Sequence, residues 1–224
     1  MPLFTCQAVL FDLDGVLVDS TPCVTRVWSQ WARHHGLDPE QVVHVAHGKK
    51  AMETIRAVAP QLDAEREFRI VERMELEDTD GLCLLPGAKE LLSSIPPECY
   101  TIVTSGTRRL ATKRLATVGL PVPRTMITAD DVSRGKPDPE PYLAGAAAVG
   151  VAGSECVVFE DAPSGLRSAV AAGAMAIGVS TTYKSQEIAF ASIVIPSLAA
   201  VKFQALPSER RLEFEIVPQT MSPT

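Results

Sequence analysis

Two aspartates stand one residue apart near the start of the chain. Asp12 and Asp14 flank Leu13 directly after an apolar run, and Gly15 follows them. Side chains alternate along a strand, so both carboxylates are expected on the same side. Two carboxylates this close repel each other unless a positive charge offsets them. A divalent cation such as Mg²⁺, which binds carboxylates together with a substrate phosphate, would do so. The alternative is a strand-ending turn that binds nothing.

Polar residues follow three further apolar runs. They are a hydroxyl-rich stretch, a lysine between glycine and proline, and an acidic pair, namely Thr104-Ser105-Gly106, Lys136 and Glu160-Asp161. A hydroxyl and exposed backbone N–H groups before a helix can hold a phosphate, and a fixed ammonium can neutralise one. Each set also has an ordinary interpretation, which is a helix N-cap for the first and third sets and a surface lysine for the second. Together the four sets supply a nucleophile, an acid/base, phosphate binders and metal ligands, which favours the functional interpretation.

The apolar runs predict the strands of a sheet. They are short and nearly continuous, as strands buried on both faces are, and lie at 6–13, 100–104, 125–128, 156–159, 174–179 and 193–195. Helical segments marked by proline at the start or glycine past the end lie at 86–95, 107–118, 139–149 and 163–172. The alternation predicts an α/β fold with a mostly parallel sheet. Ligands bind outside the carboxyl ends of such strands, where the polar sets are expected to meet.

A segment without a convincing strand interrupts this alternation. Helical stretches at 21–35, 39–45, 49–58 and 64–77 predict an all-helical cap over residues 16–84, inserted into a core made of residues 1–15 and 85–206. On the first stretch, Trp28 and Trp31 are three residues apart and are expected to pack rather than to bind a ligand. Residues 207–224 contain proline, serine and charged residues and are expected to form a loosely attached tail.

Composition excludes several classes of function. The chain has 224 residues, a mass of 24.0 kDa and a net charge of −6, which fits one domain with an insertion. An acidic chain with only 5% aromatic residues is not expected to bind nucleic acid. No apolar stretch reaches the roughly 18 residues of a membrane span, and no signal peptide is visible. The five scattered cysteines predict reduced thiols in a cytoplasmic protein, which we expect to be a monomer.

The four motifs together resemble those of the haloacid dehalogenase-like hydrolase superfamily. In this sequence they read Asp12-Leu-Asp14-Gly15, Thr104-Ser105-Gly106, Lys136-Pro137-Asp138 and Glu160-Asp161-Ala162-Pro163-Ser164-Gly165. The resemblance covers about residues 6–197 and is to phosphatases with a helical cap after the first strand. It implies a Rossmann-like three-layer core, Mg²⁺ as cofactor and an aspartyl-phosphate intermediate. Dehalogenases and phosphonate hydrolases of the superfamily generally lack the second aspartate, so Asp14 favours a phosphate ester.

The resemblance also implies a role for each motif residue. Asp12 would attack phosphorus, and Asp14 would protonate the leaving alkoxide and then activate water. Mg²⁺ would be bound by the Asp12 side chain, the Asp14 main-chain carbonyl and Asp161, with Glu160 ligating it or orienting water. The phosphoryl oxygens would be held by Thr104 or Ser105, with Gly106, and by Lys136.

The predicted cap contains a second, shorter resemblance. Its segment at 47–55 looks like that of bacterial and fungal sugar- and polyol-phosphate phosphatases. His47, Gly48 and Lys49 would then reach over the active site and contact the substrate. The alternative is a loop before a helix with solvated lysines. We therefore predict a Mg²⁺-dependent phosphatase that hydrolyses a small sugar- or polyol-phosphate monoester.

Two other functions stay open at this point. Sugar phosphomutases of the β-phosphoglucomutase type resemble the chain in all four motifs. Val24 and Ala51 stand where those enzymes carry a histidine and a cap arginine, which favours the phosphatase. The other alternative is a non-catalytic sugar-phosphate binding protein, against which the complete motifs argue.

Overall fold

The computed structural model of the protein describes residues 3–206 and 211–217. In chain order its strands are β1 Leu3–Cys6, β2 Ala8–Phe11, β3 Val18–Asp19, β4 Cys83–Leu84, β5 Tyr100–Val103, β6 Met126–Ile127, β7 Cys156–Glu160, β8 Met175–Val179, β9 Ile193–Ile195, β10 Val201–Leu206 and β11 Arg211–Ile216. Its α-helices are α1 Thr21–His34, α2 Pro39–Ala46, α3 Ala51–Val58, α4 Ala64–Glu77, α5 Ala88–Ser94, α6 Arg108–Thr117, α7 Glu140–Ala148 and α8 Pro163–Ala171. None of these helices is long and apolar enough to cross a membrane.

A parallel sheet of six strands lies at the centre, in the order β6-β5-β2-β7-β8-β9. Its strand β2 pairs with β5 on one side and with β7 on the other. Every residue of β2 is buried, and successive residues enter different apolar clusters. Val9 and Phe11 belong to one cluster, and Ala8 and Leu10 belong to the other. Because both faces of the strand are covered, its sequence is a continuous apolar run.

Helices cover both faces of this sheet. Leu91 of α5 and Leu115 of α6 pack in the cluster that contains Val9. Tyr142 of α7 and Leu166 of α8 pack in the other cluster. The result is a helix–sheet–helix arrangement, so the predicted α/β class with a Rossmann-like three-layer core and a helical cap is confirmed.

Helices α1 to α4 enclose an apolar cluster of their own. Trp28 and Trp31 are buried in it, as predicted, with ring centroids 5.6 Å apart in an edge-to-face arrangement. The strands β3 and β4 stand at the two ends of this helical segment and pair in antiparallel fashion, with Val18 opposite Leu84. The expectation of no strand in residues 16–84 is therefore wrong at these positions, because strands of two residues leave no apolar run.

The tail is the main correction to the sequence-based fold. The strand β11 pairs with β1 on one side and with β10 on the other, in a three-stranded antiparallel sheet. Its Leu212 and Phe214 are buried in the same cluster as Phe11 of the central sheet. A loosely attached tail is therefore wrong for Arg211–Ile216, while positions 207–210 and 218–224 lie outside the described residues.

The run at 6–13, predicted as one strand, belongs to two sheets. It divides at Gln7, whose main-chain N–H donates a hydrogen bond of 2.8 Å to the carbonyl of Glu155. The preceding strand β1 pairs with β11, and the following strand β2 pairs within the central sheet. Cys6 at the end of β1 and all of β2 are buried, so the near-continuous apolar run does not reveal the break.

Candidate active site

Three of the four predicted motifs lie directly at the carboxyl ends of neighbouring central strands. Asp12 follows β2, Thr104 follows β5, and Glu160 is the last residue of β7. Main-chain hydrogen bonds continue the pairing past the strand ends, from Asp12 N–H to Phe159 O at 3.0 Å and from Thr104 N–H to Ile127 O at 2.9 Å. The motif residues are therefore held on a rigid sheet edge rather than on free loops.

A cavity lies between this sheet edge and the cap. It is lined by nearly all of the residues predicted from the sequence, namely Asp12, Asp14, Thr104, Ser105, Gly106 and Asp161 of the core and His47, Gly48 and Lys49 of the cap. The two predicted residues outside the lining, Lys136 and Glu160, are buried and contact each other, and Lys136 also contacts Asp12. The cavity is thus closed from both sides by residues of the expected chemistry.

Lys136 is a fully buried cation behind Asp12. Its Nζ donates to Asp12 Oδ1 at 2.5 Å, to Glu160 Oε1 at 2.6 Å and to the carbonyl of Val103 at 3.2 Å. It also lies 5.0 Å from the centre of the Tyr142 ring. Burial opposes the charge, but the two carboxylates outweigh burial and hold the pKa of Lys136 above its ordinary value. Lys136 therefore stays protonated and neutralises part of the acidic cluster.

Three buried carboxylates converge beside this lysine. Asp12, Glu160 and Asp161 each offer an oxygen, and these oxygens all lie within 4.8 Å of one another. Burial, opposed by Lys136 and reinforced by Glu160 and Asp14, raises the pKa of Asp12 to about 7. Burial and the neighbouring carboxylates Glu160 and Asp12 likewise hold the pKa of Asp161 well above its usual range. Hard oxygen donors with too little positive charge among them fit a divalent cation such as Mg²⁺.

The members of this cluster differ in how much they are engaged within the protein. Both oxygens of Glu160 accept hydrogen bonds, Oε1 from Tyr142 Oη at 3.1 Å as well as from Lys136, and Oε2 from Ala162 N–H at 2.8 Å. A Cβ at Gly165 would collide with this carboxylate, so glycine is needed there for the close approach of α8. Asp12 and Asp161 line the cavity itself and are the more accessible pair.

Asp14 is held by a residue of the core that was not predicted. Arg114 on α6 donates from Nη1 to Asp14 Oδ2 at 2.7 Å. The other oxygen, Asp14 Oδ1, is buried and has no hydrogen-bond partner within the described part of the chain. One oxygen of this carboxylate is therefore fixed, and the other is left for a ligand or for water.

The hydroxyl-rich motif links the core to the cap. Ser105 Oγ donates to the carbonyl of Gly48 at 3.1 Å, and Thr104 Oγ1 accepts from Gly106 N–H at 3.1 Å. The N-cap of α6 is Thr107, whose Oγ1 accepts from Leu110 N–H at 3.3 Å. The alternative interpretation of Ser105 as a plain helix cap is therefore wrong.

The cap loop at 47–49 closes over the cavity. Gly48 has a φ of +73°, and its carbonyl accepts from Ser164 Oγ at 3.3 Å as well as from Ser105. Burial and the neighbouring His44 lower the pKa of His47, against a smaller opposing effect of Asp14, which favours the neutral imidazole at the cavity. Lys49 lines the cavity and is exposed, so its ammonium is solvated as the alternative interpretation expects.

Some residues of the cavity escape prediction from the sequence. Trp28, predicted to pack, does so and also lines the cavity. Glu75 on α4 and Arg114 line it as well, although charged residues on helices are usually solvated. One signal exists for Arg114, because it shares a helix face with the buried Leu110 and Ala111.

Comparison with known proteins gives consistent matches. Residues 6–173 match the family model for haloacid dehalogenase-like hydrolases. The chain is 43% identical over 211 residues to hexitol phosphatase A of Escherichia coli, covering 91% of this chain and 96% of the relative. It is 36% identical over 189 residues to glycerol-1-phosphate phosphohydrolase 2 of Saccharomyces cerevisiae, covering 79% and 76%.

A solved structure and a mutase sequence also match the chain. A hydrolase structure from Pseudomonas syringae superposes with a TM-score of 0.72 at 30% identity, covering 86% of this chain and 94% of that one. β-Phosphoglucomutase of Bacillus subtilis is 26% identical over 217 residues, covering 91% and 95%. Phosphatases are therefore more similar to the chain than this mutase is.

Proposed function

The chain belongs to the haloacid dehalogenase-like hydrolases, and on that premise we propose that it is a phosphatase acting on small sugar- or polyol-phosphate monoesters. The observation that carries the proposal is the position of Asp12. This buried residue lines the cavity, contacts Lys136 and belongs to the acidic cluster. Asp14, two positions further along the chain, lines the same cavity. The similarity to hexitol and glycerol-1-phosphate phosphatases supports the substrate class.

The proposed reaction has two steps and uses two carboxylates. In the first, an oxygen of Asp12 attacks phosphorus, the bond from phosphorus to the substrate oxygen breaks, and Asp14 donates a proton to the departing alkoxide. In the second, Asp14 takes a proton from water, the water oxygen attacks phosphorus, and the bond to Asp12 breaks. Inorganic phosphate leaves, and both carboxylates return to their starting states.

The surrounding residues supply position and charge. We assign the phosphoryl oxygens to Thr104, Ser105, Gly106 and their main-chain N–H groups, and we assign to Lys136 the neutralisation of charge beside Asp12. Mg²⁺, when bound by Asp12, Asp161, the Asp14 main-chain carbonyl and Glu160 directly or through water, would neutralise charge on the transferring phosphoryl group. His47, Gly48 and Lys49 are proposed to contact the rest of the substrate and to exclude water from the site.

The cavity wall favours hydrolysis over mutase chemistry. Val24 and Ala51, which replace the histidine and arginine of the β-phosphoglucomutases, both line the cavity. An alanine cannot pair with the second phosphate of a bisphosphate. A mutase would conserve total phosphoester and need a bisphosphate activator, whereas a phosphatase releases inorganic phosphate from a monoester alone.

A phosphate-release screen tests the proposal. The panel contains hexitol, hexose, glycerol and glycolate phosphates, each with Mg²⁺ and with excess EDTA. We expect Mg²⁺-dependent release from one or more polyol or sugar phosphates. Isomer interconversion without release would instead support the mutase, and binding without either reaction would support the non-catalytic alternative.

We further propose that the enzyme works as a monomer in the cytoplasm. The free thiols of Cys6, Cys23, Cys83 and Cys156 support a reducing compartment. Few large apolar residues of the described chain are exposed, which supports a monomer, namely Leu3, Val122, Leu143, Val170 and Phe190. Size-exclusion chromatography with light scattering tests the oligomeric state.

A further inference from the structure

Arg114 is a buried cation that joins the core to the cap. It lies on α6 of the core, and only 5% of the residue is exposed. Its Nη1 donates to Asp14 Oδ2 at 2.7 Å, and its Nη2 donates to Glu75 Oε1 at 3.4 Å. Because Glu75 belongs to α4 of the cap, one guanidinium contacts the proposed acid/base and the cap at the same time.

The ion-paired triad of Asp14, Arg114 and Glu75 links helices α4 and α6 at a high cost in desolvation free energy. All three residues line the cavity, and Arg114 and Glu75 are both buried. Desolvating such charges offsets much of their mutual attraction, and apolar residues of similar size often pack at lower cost. The arrangement therefore calls for a role at Asp14 beyond the packing of α4 against α6.

The geometry at Asp14 indicates that role. A carboxylate is free to rotate unless one oxygen is held, and Arg114 holds Oδ2. The remaining oxygen, Oδ1, is buried without a partner among the described residues, in a side chain that lines the cavity. Proton transfer requires the donor atom within hydrogen-bond reach of the substrate oxygen, so a fixed carboxylate favours it.

We propose that Arg114 is a positioning residue that orients Asp14 for proton transfer, and that Glu75 completes this arrangement when the cap covers the core. The inference rests on the proposed acid/base role of Asp14. It adds that the proton donor is fully oriented only in the closed enzyme. Closure would then set up the chemistry as well as exclude water.

The test uses two kinds of leaving group. An alkoxide from a polyol phosphate needs a proton as it departs, whereas p-nitrophenolate is stable without one. The ratio kcat/KM reports the steps up to departure of the leaving group, so the later attack of water on the aspartyl-phosphate does not enter it. A residue that orients the proton donor should therefore affect kcat/KM for the alkyl ester alone.

Arg114→Met is the principal variant. We expect kcat/KM for the best polyol phosphate of the screen to fall about 100-fold, and that for p-nitrophenyl phosphate to fall less than about threefold. Glu75→Gln should show the same selectivity with a smaller loss. Arg114→Lys, which keeps a cation on the same helix face, should recover part of the activity toward the polyol phosphate.

Glu72→Ala is the matched control. Glu72 on α4 accepts a hydrogen bond of 2.6 Å from Thr107 Oγ1 at the start of α6, so it links the same two helices without contacting Asp14. Loss of the Glu72 carboxylate should change kcat/KM for both substrates by the same factor. If Arg114→Met also lowers kcat/KM equally for both substrates, Arg114 only supports the structure and the proposal is overturned.

Asp14→Asn separates this proposal from the proposed function. A loss confined to the polyol phosphate in Asp14→Asn but absent in Arg114→Met overturns the positioning role and leaves the phosphatase mechanism standing. If Asp14→Asn lowers kcat/KM equally for both substrates, Asp14 is not the acid/base, and the inference about Arg114 fails with that role. If Arg114→Met does not fold, Glu75→Gln and Arg114→Lys test the proposal in its place. Equal losses of kcat/KM for both substrates in these two variants overturn it.

Discussion

One buried ammonium, that of Lys136, lies beside three buried carboxylates next to the cavity. Lys136 contacts Asp12 and Glu160, and Asp161 completes the cluster. With all groups ionised, three negative charges against one positive charge leave a local charge of −2. Burial, reinforced by the neighbouring carboxylates Glu160 and Asp14 and opposed by Lys136, is why the pKa of Asp12 rises to about 7. A divalent cation would restore the balance, which ties stability to metal and to pH.

The first prediction is that Mg²⁺ stabilises the protein more as pH rises. The pKa of Asp12 is about 7 in the metal-free folded protein and 3.8 as a free side chain. Between these values the folded protein holds more protons than the unfolded chain, so the contribution of this carboxyl to stability falls as pH rises through the window. Bound Mg²⁺ removes this penalty because it competes with the proton.

Thermal unfolding in EDTA and in saturating Mg²⁺ measures this effect. We expect the gain in Tm from Mg²⁺ to be larger at about pH 8 than at about pH 5. Using the difference between the two conditions at each pH cancels the titration of groups far from the site. A gain that is equal at both values, or larger at the lower one, would contradict the charge balance proposed for the cluster.

The sequence predicts some of these residues well and others hardly at all. Asp12, Glu160 and Asp161 stand at the ends of strands whose apolar runs are visible, so their meeting at one sheet edge follows from topology. Arg114 and Glu75 meet only because the cap folds over the core, and nothing local marks that contact. Charged residues on helices look solvated until the partner across the interface is known.

At the scale of elements, the cap loop touches the core at one glycine. Gly48 has a φ of +73°, and a Cβ there would lie 2.7 Å from Ala162 Cβ and 3.0 Å from Ser164 Oγ. We predict that Gly48→Ala lowers kcat/KM for the polyol phosphate at least about tenfold. The left-handed backbone costs about 1–2 kcal/mol for alanine and the contact with the core is lost in addition.

Gly36→Ala is the control for this prediction. Gly36 also lies in the cap with a φ of +68°, but nothing comes within 4 Å of a Cβ at that position. Its substitution should lower Tm by a similar backbone cost and leave kcat/KM unchanged. Steady-state kinetics of both variants decide the matter, and equal losses of kcat/KM would show that the contact of Gly48 with the core is unimportant.

The small antiparallel sheet is predicted to stabilise the core. Phe214 on β11 is 1% exposed, and the rings of Phe4 and Phe203 stack on it at 5.2 and 6.1 Å. Phe214→Ala should lower the free energy of unfolding by about 3–5 kcal/mol, because it leaves a cavity in the core. Urea denaturation measures the loss, and Phe190→Ala, at a residue 46% exposed, should cost far less. Equal losses for the two variants would mean that β11 is not part of the core.

Elements were predictable where their pattern is local. Buried parallel strands such as β7 are visible in the sequence as apolar runs, whereas β3 and β4 have two residues each and leave no pattern. The strand β11 does carry a signal, since Leu212 and Phe214 alternate with charged residues. Its position after proline- and serine-containing sequence nevertheless favours the incorrect prediction of a loose tail.

At the scale of the whole molecule, chemistry and enclosure come from different parts of the chain. The central sheet holds the acidic cluster and Lys136, and the cap covers them through contacts at Gly48, Glu72 and Glu75. The net charge of −6 is compatible with an anionic substrate because the cations are placed locally. Lys136 and Arg114 are both buried against site carboxylates, so each cation offsets part of the negative charge where a phosphate would bind.

The most direct test of the central claim is phosphate release by Asp12→Asn. This change removes a buried negative charge from a crowded cluster, so the variant should keep a Tm close to that of the wild type in EDTA. We predict that release of phosphate from the preferred substrate with Mg²⁺ falls by about 10⁴-fold or more, as expected when a nucleophile is removed. Turnover within about tenfold of the wild type by the folded variant would contradict the assignment of Asp12 as the nucleophile.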